Sequence, residues 1–167
     1  MKVILVMVAF AIGGWYWFVG GRQISETDVH GFFQQELQWL DDGKAKEMCA
    51  SLDEKYTQRM TQVSMAGRVE DEADKAKSCQ ATEKLFETVD KLKSQFGDGA
   101  GVEVSEKVDS IDISSDKKTA IVKVRSVFKM GTEQVLMVKI TSETTETFVK
   151  RNGKLLRLSA EGKSLIE

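Results

Sequence analysis

The stretch Gly97–Met130, GDGAGVEVSEKVDSIDISSDKKTAIVKVRSVFKM, decides the fold class, because the hydrophobic period changes inside it. Before Gly97 the apolar residues Leu85, Phe86, Val89, Leu92 and Phe96 recur at helical spacing. After Gly101 they alternate. Val102 to Ile113 reads as a strand, with a slip at Asp109-Ser110 that predicts a bulge. Ser114 to Lys118 reads as a turn, and Ala120, Val122, Val124, Ser126, Phe128 and Met130 line one face of the next strand. The glycine cluster Gly97-Asp98-Gly99-Ala100-Gly101 follows a helix and lacks a Gly-Lys-Ser/Thr ending, which excludes a phosphate loop.

Working outward toward the C-terminus, Gly131-Thr132 marks a turn and Gln134 to Val149 reads as a long strand. Asn152-Gly153 is a two-residue hairpin signal, and Leu155 to Ala160 returns as the last strand. Toward the N-terminus, Ser25 is placed to cap a helix with Asp28 at its third position, and Ile24 and Val29 are spaced as a hydrophobic staple. Val29, Phe33, Leu37 and Leu40 give that helix its apolar face, and Gly43 ends it. Ala45, Met48, Cys49, Leu52, Tyr56, Met60 and Val63 predict a second helix. The acidic run Glu70, Asp71, Glu72 and Asp74 then reads as the solvated first turn of a third, which runs through Cys79 to Phe96. Helices grouped before a meander predict an α+β fold: an N-terminal membrane helix, then three helices packed on a curved four-stranded antiparallel sheet.

The 167 residues suit one domain beyond the first segment, and a net charge of -2 with no basic stripe excludes a nucleic-acid surface. Residues 3–21 are free of charge, and as a helix they would span about 28 Å, close to the thickness of a bilayer's hydrocarbon core. Trp15, Tyr16, Trp17 and Phe18 stand where aromatic rings favour the membrane interface. The expected organisation is a signal anchor over residues 1–22 and an exported domain over 23–167. That domain would sit at the periplasmic face of an inner membrane; the alternative is cleavage near Gly21 and release. Cys49 and Cys79 are the two cysteines, and beyond an export segment they are expected to form a disulfide.

Three stretches carry a family resemblance: FFQQELQWLDDGKAKEMCASLDEKY (residues 32–56), TAIVKVRSVFK (119–129) and TFVKRNGKLLRL (147–158). They resemble the first two helices, a mid-sheet strand and the closing hairpin of the nuclear transport factor 2-like superfamily, the cystatin-like α+β cone, over about Thr27 to Leu158. The resemblance implies a curved sheet wrapped round helices. It also spans both enzymes and non-catalytic modules, among them membrane-anchored proteins of secretion systems. Enzymatic members keep an acid, tyrosine or histidine inside the cone.

The alternation offers little of that kind. The inward strand residues are expected to be Ala120, Val122, Val124, Phe128, Leu136, Val138, Ile140 and Phe148, all apolar. His30 lies in the first turn of the first helix, Tyr56 is expected to pack, and Glu143 and Glu146 lie among threonines on a strand expected to be exposed. The reading at this level is a non-catalytic binding or assembly module with no catalytic residue, cofactor or metal. Its partner would be another envelope protein or a second copy, met through Phe128, Met130 and Met137. The alternative is a small-molecule-binding protein or a lyase or isomerase that uses the cone's cavity.

Overall fold

The computed structural model describes residues 23–97, 99–132 and 135–167. The chain order among them is helix α1 (Glu26–Asp41), helix α2 (Ala45–Ala50), strands β1 (Leu52–Ser64) and β2 (Gly67–Asp74), helix α3 (Lys75–Phe96), and strands β3 (Ala100–Ile113), β4 (Thr119–Thr132), β5 (Leu136–Arg151) and β6 (Lys154–Ile166). The six strands form one sheet in the order β2-β1-β6-β5-β4-β3. Every neighbouring pair is antiparallel except β1 with β6, which run parallel.

The α+β class stands, but the sheet has two more strands than expected. The predicted second helix stops at Ala50, and Leu52 onward is β1. Leu52, Tyr56 and Met60 are buried, as foreseen, but their spacing of four satisfies a helix turn and an alternating strand equally. The β-branched Thr57, Thr61 and Val63 and the pairing with β6 select the strand. The acidic run Glu70–Asp74 is likewise no helical turn: it forms the edge strand β2, and Asp74 caps α3 through a bond from the Lys77 amide at 2.9 Å. The predicted membrane segment, residues 3–21, lies outside the described residues. Among those described, no helix is long and apolar enough to cross a membrane.

Local signals elsewhere hold. Ser25 and Asp28 form the reciprocal cap of α1, with Ser25 Oγ accepting from the Asp28 amide and Asp28 Oδ2 from the Ser25 amide. Ile24 and Val29 are both fully buried, as a staple requires. Register shifts at Val108/Ser110, the expected bulge. Asn152 and Gly153 both take positive φ, 51° and 78°, the backbone a tight hairpin of this twist demands.

The main core lies where α1 packs on the sheet: Ile24, Val29, Phe32 and Phe33 against Ala120, Val122, Val124 and Phe148. The rings of Phe32, Phe33 and Phe148 meet edge to face, with centroids 5.0–5.8 Å apart. A second, smaller cluster joins Leu52 and Tyr56 of β1 to Ala160 of β6 and Cys79 of α3. The outer face of the sheet is polar and carries cross-strand ion pairs such as Arg125 with Asp109, at 2.6 and 2.7 Å.

Candidate functional site

Between the two apolar clusters, five elements each send one polar side chain inward: Glu36 from α1, Tyr56 from β1, Glu106 from β3, Glu146 from β5 and Arg157 from β6. Each follows from its element's period. Glu36 is one turn beyond Phe32 on the buried stripe of α1. Glu106 continues the row Val102, Val104, Val108 on β3, and Glu146 stands two residues before the buried Phe148 on β5. Arg157 is paired with Phe148 across the β5–β6 ladder.

Arg157 organises the group. Its Nη1 and Nη2 donate to the two carboxylate oxygens of Glu36 at 2.9 and 2.6 Å. Its Nε lies 2.7 Å from Glu146 Oε2, an ion contact out of line for a hydrogen bond. The guanidinium also lies over the rings of Phe32 and Phe148, 5.3 and 5.7 Å from their centroids. Glu36 and Glu146 are only 9% and 8% exposed. Burial works against the charge on Arg157, but the carboxylates of Glu146 and Glu36 outweigh it and leave the guanidinium more firmly protonated than usual.

Glu106 is the odd member. Its Oε2 is fully enclosed and accepts no hydrogen bond. Burial first, then the nearby charges of Glu36 and Glu146 against the opposing pull of Arg157, pushes its carboxyl up to about 8. At neutral pH it is therefore mostly a neutral acid with a proton to donate. Burial also raises Glu146, against the pull of Arg157. Tyr56, buried beside the same charges, is pushed up to about 12, and its hydroxyl donates to Gln58 Oε1 at 3.2 Å.

A cavity of about 390 Å³ opens between α1, α3 and the start of β3, lined by Leu40, Leu85, Phe86, Val89 and Val102 with Asp41, Asp42, Asp90 and Lys93 at its rim. Two of its lining residues share a face with members of the polar group. Leu40 is one helical turn beyond Glu36, and Val102 is two alternate positions, about 13 Å, from Glu106 on the same strand face. The cavity ends at Val102, and the buried acid Glu106 lies further along the same face of β3.

This inward group corrects the expectation of an all-apolar interior. Glu146 is buried where exposure was expected, and Leu136 is 56% exposed where burial was expected. The missed signal was present in the sequence: an acid or arginine placed on an apolar period is as informative as the period itself. Cys49 and Cys79 are bonded, joining α2 to α3. Phe128 and Met130 are half-buried on the inner face of β4, while Met137 is exposed on the outer face of β5, so the three do not make one surface. Trp15, Tyr16, Trp17 and Phe18 lie outside the described residues. His30 is exposed on α1. Among the described residues, no group of three or more acidic, histidine or cysteine side chains is placed to hold a metal ion.

No family model matches the chain, and no curated protein matches it in sequence. Solved structures do resemble its fold. A putative scytalone dehydratase from Novosphingobium aromaticivorans is similar over 83% of this chain and 82% of its own, with a TM-score of 0.60 and 13% identity. Aln2 from a Streptomyces species matches over 85% and 94%, with a TM-score of 0.57 and 16% identity. A domain of unknown function with a cystatin-like fold from Nostoc punctiforme matches over 84% and 78%, with a TM-score of 0.52 and 12% identity. At such identities the likeness is one of fold, the α+β cone that the sequence resemblance implied, and no activity follows from it.

Proposed function

We propose that the domain binds a small, largely apolar molecule through the mouth of the cone and presents Glu106 to its polar end as a proton donor. This reading makes it a small-molecule carrier, or a lyase or isomerase in which Glu106 is the acid. The observation that supports it is the enclosed Oε2 of Glu106, a buried polar atom without a hydrogen-bond partner, on the same face of β3 as Val102 of the apolar cavity. Such an atom costs about 1–3 kcal/mol unless something meets it. Within this reading the domain stands on the outer side of a membrane, a placement supported by the uncharged segment 3–21 and by the Cys49–Cys79 bond.

The test is a fragment screen by ligand-observed NMR on the full chain in neutral detergent, repeated on Val102→Trp and Glu106→Gln. Fragments that enter the cone lose binding in Val102→Trp, which plugs the mouth, and change affinity in Glu106→Gln. Fragments indifferent to both substitutions would count against the cone as the site.

A second reading, a non-catalytic assembly module in an envelope complex, is supported by the exposed Phe96, Val135, Leu136 and Met137 near one end of the sheet. It predicts co-purification of a partner that Leu136→Asp abolishes and Glu106→Gln leaves intact.

A further inference from the structure

The chain joins the domain at one end of the sheet. The Ile24 amide donates to the Lys117 carbonyl at 2.7 Å, and Lys150 Nζ donates to the Gln23 carbonyl at 3.0 Å. Gln23 is thus held between the β3–β4 turn and the β5–β6 hairpin. Only Arg22 separates it from the uncharged segment 3–21, a reach of at most about 7 Å. With that segment in a bilayer, this end of the domain stands at the headgroups. The opposite end of the sheet lies roughly 40 Å away along β4.

The charges at the near end fit such a neighbour. Lys117, Lys118 and Lys154 are exposed on its two turns, and among the described residues none of their ammonium groups lies in an ion pair. Arg22 adds a cation in the link. Two nearby acids are already neutralised, Asp28 by Lys150 at 3.0 Å and Asp53 by Arg151. On the two turns and the first turn of α1 that leaves Asp116 and Glu26, both exposed, against these four cations. The far end has another character: its exposed side chains include Met65, Phe96, Leu136 and Leu165. Attraction between lysines and an anionic leaflet fades within about 10 Å at 0.1 M salt, and the short link keeps the near end inside that range.

From this arrangement, and resting on the membrane placement proposed above, we infer that the domain stands end-on to the bilayer, with Lys117, Lys118 and Lys154 on anionic lipid headgroups. The cavity then faces away. Leu40, in its lining, lies about 22 Å along α1 from the Ser25 cap, so a ligand enters from the aqueous side.

The test places the full chain in nanodiscs of phosphatidylcholine, alone or with about a third of phosphatidylglycerol, and reads lysine acetylation rates by mass spectrometry. At low salt Lys117, Lys118 and Lys154 are expected to react about threefold more slowly in the anionic discs than in the neutral ones. The difference should vanish in about 0.5 M salt. Lys91 and Lys93, exposed on α3 toward the far end, should react alike in both discs. In the double variant Lys118→Glu/Lys154→Glu, Lys117 should lose its dependence on the lipid. If the three lysines react alike in both discs, the lipid contact is overturned and the anchor stands. Slowing at Lys91 and Lys93 in their place overturns the orientation. A chain that does not enter the discs overturns the membrane placement and this contact with it.

Discussion

Glu36, Glu106, Glu146 and Arg157 stand where the period of their elements calls for leucine or valine, and each makes a measurable demand on stability. Glu106 has a folded value of about 8 against an ordinary 4.5, so between those pH values the folded chain holds a proton that the unfolded chain has released. The stability that Glu106 contributes is therefore fully present below the lower value, is lost as pH rises toward 8 at on the order of 1 kcal/mol per pH unit, and changes no further above it. Denaturation by urea at pH 5, 6, 7 and 8 should show this slope in the wild type and a shallower one in Glu106→Gln. Removing Arg157 is a different case. Arg157→Met leaves Glu36 and Glu146 buried without their cation and should cost about 3–5 kcal/mol, most of it recovered when both glutamates are also replaced by leucine. A single variant as stable as the wild type would show that the triad is not desolvated. These residues were legible in part. Val102, Val104, Glu106, Val108 is a visible row, but a lone acid in an alternating strand looks the same whether the row's other face or this one is buried. Only the pairing of β3 in the sheet, which turns this row toward α1, settles it.

At the scale of elements, strands β3 to β6 and their turns were readable because alternation, the bulge and Asn152-Gly153 agreed with one another. Strand β1 was not, since Leu52, Tyr56 and Met60 fit both periods and the deciding partner, β6, is remote in sequence. What Ala45–Ala50 retains as helix is six residues whose N-cap residue, Lys44, gives no side-chain capping bond. So short a helix is unstable by itself, and Cys49 ties it to Cys79 on α3. Replacing both cysteines by serine should lower stability by about 3–4 kcal/mol. Hydrogen exchange should show the amides of α2 opening first. A double variant with unchanged exchange in α2 would mean that packing, not the bond, holds the helix. Native protein analysed by mass spectrometry without reductant should lack alkylatable thiols.

For the molecule as a whole, the expected α+β cone is present, and the proposed membrane anchor makes a prediction of its own. Sequencing the N-terminus of native protein should find the apolar segment retained, and a chain that begins near Arg22 would mean it is a leader. The parallel pairing of β1 with β6 has a consequence for how the molecule comes into being. Thr57 lies beside Ser159, roughly a hundred residues later, so half of the edges of β1 have no partner until nearly the whole chain has been made. Loop closure over that span is slow, and until it happens Leu52, Tyr56 and Met60 remain bare to whatever else is nearby. A chain ending at Asn152 should accordingly remain protease-sensitive through β1, far from the cut in sequence. The last strand synthesised is thus a latch for the first, and a chain emerging end-first from a ribosome or a translocation channel must be sheltered from aggregation until that latch arrives.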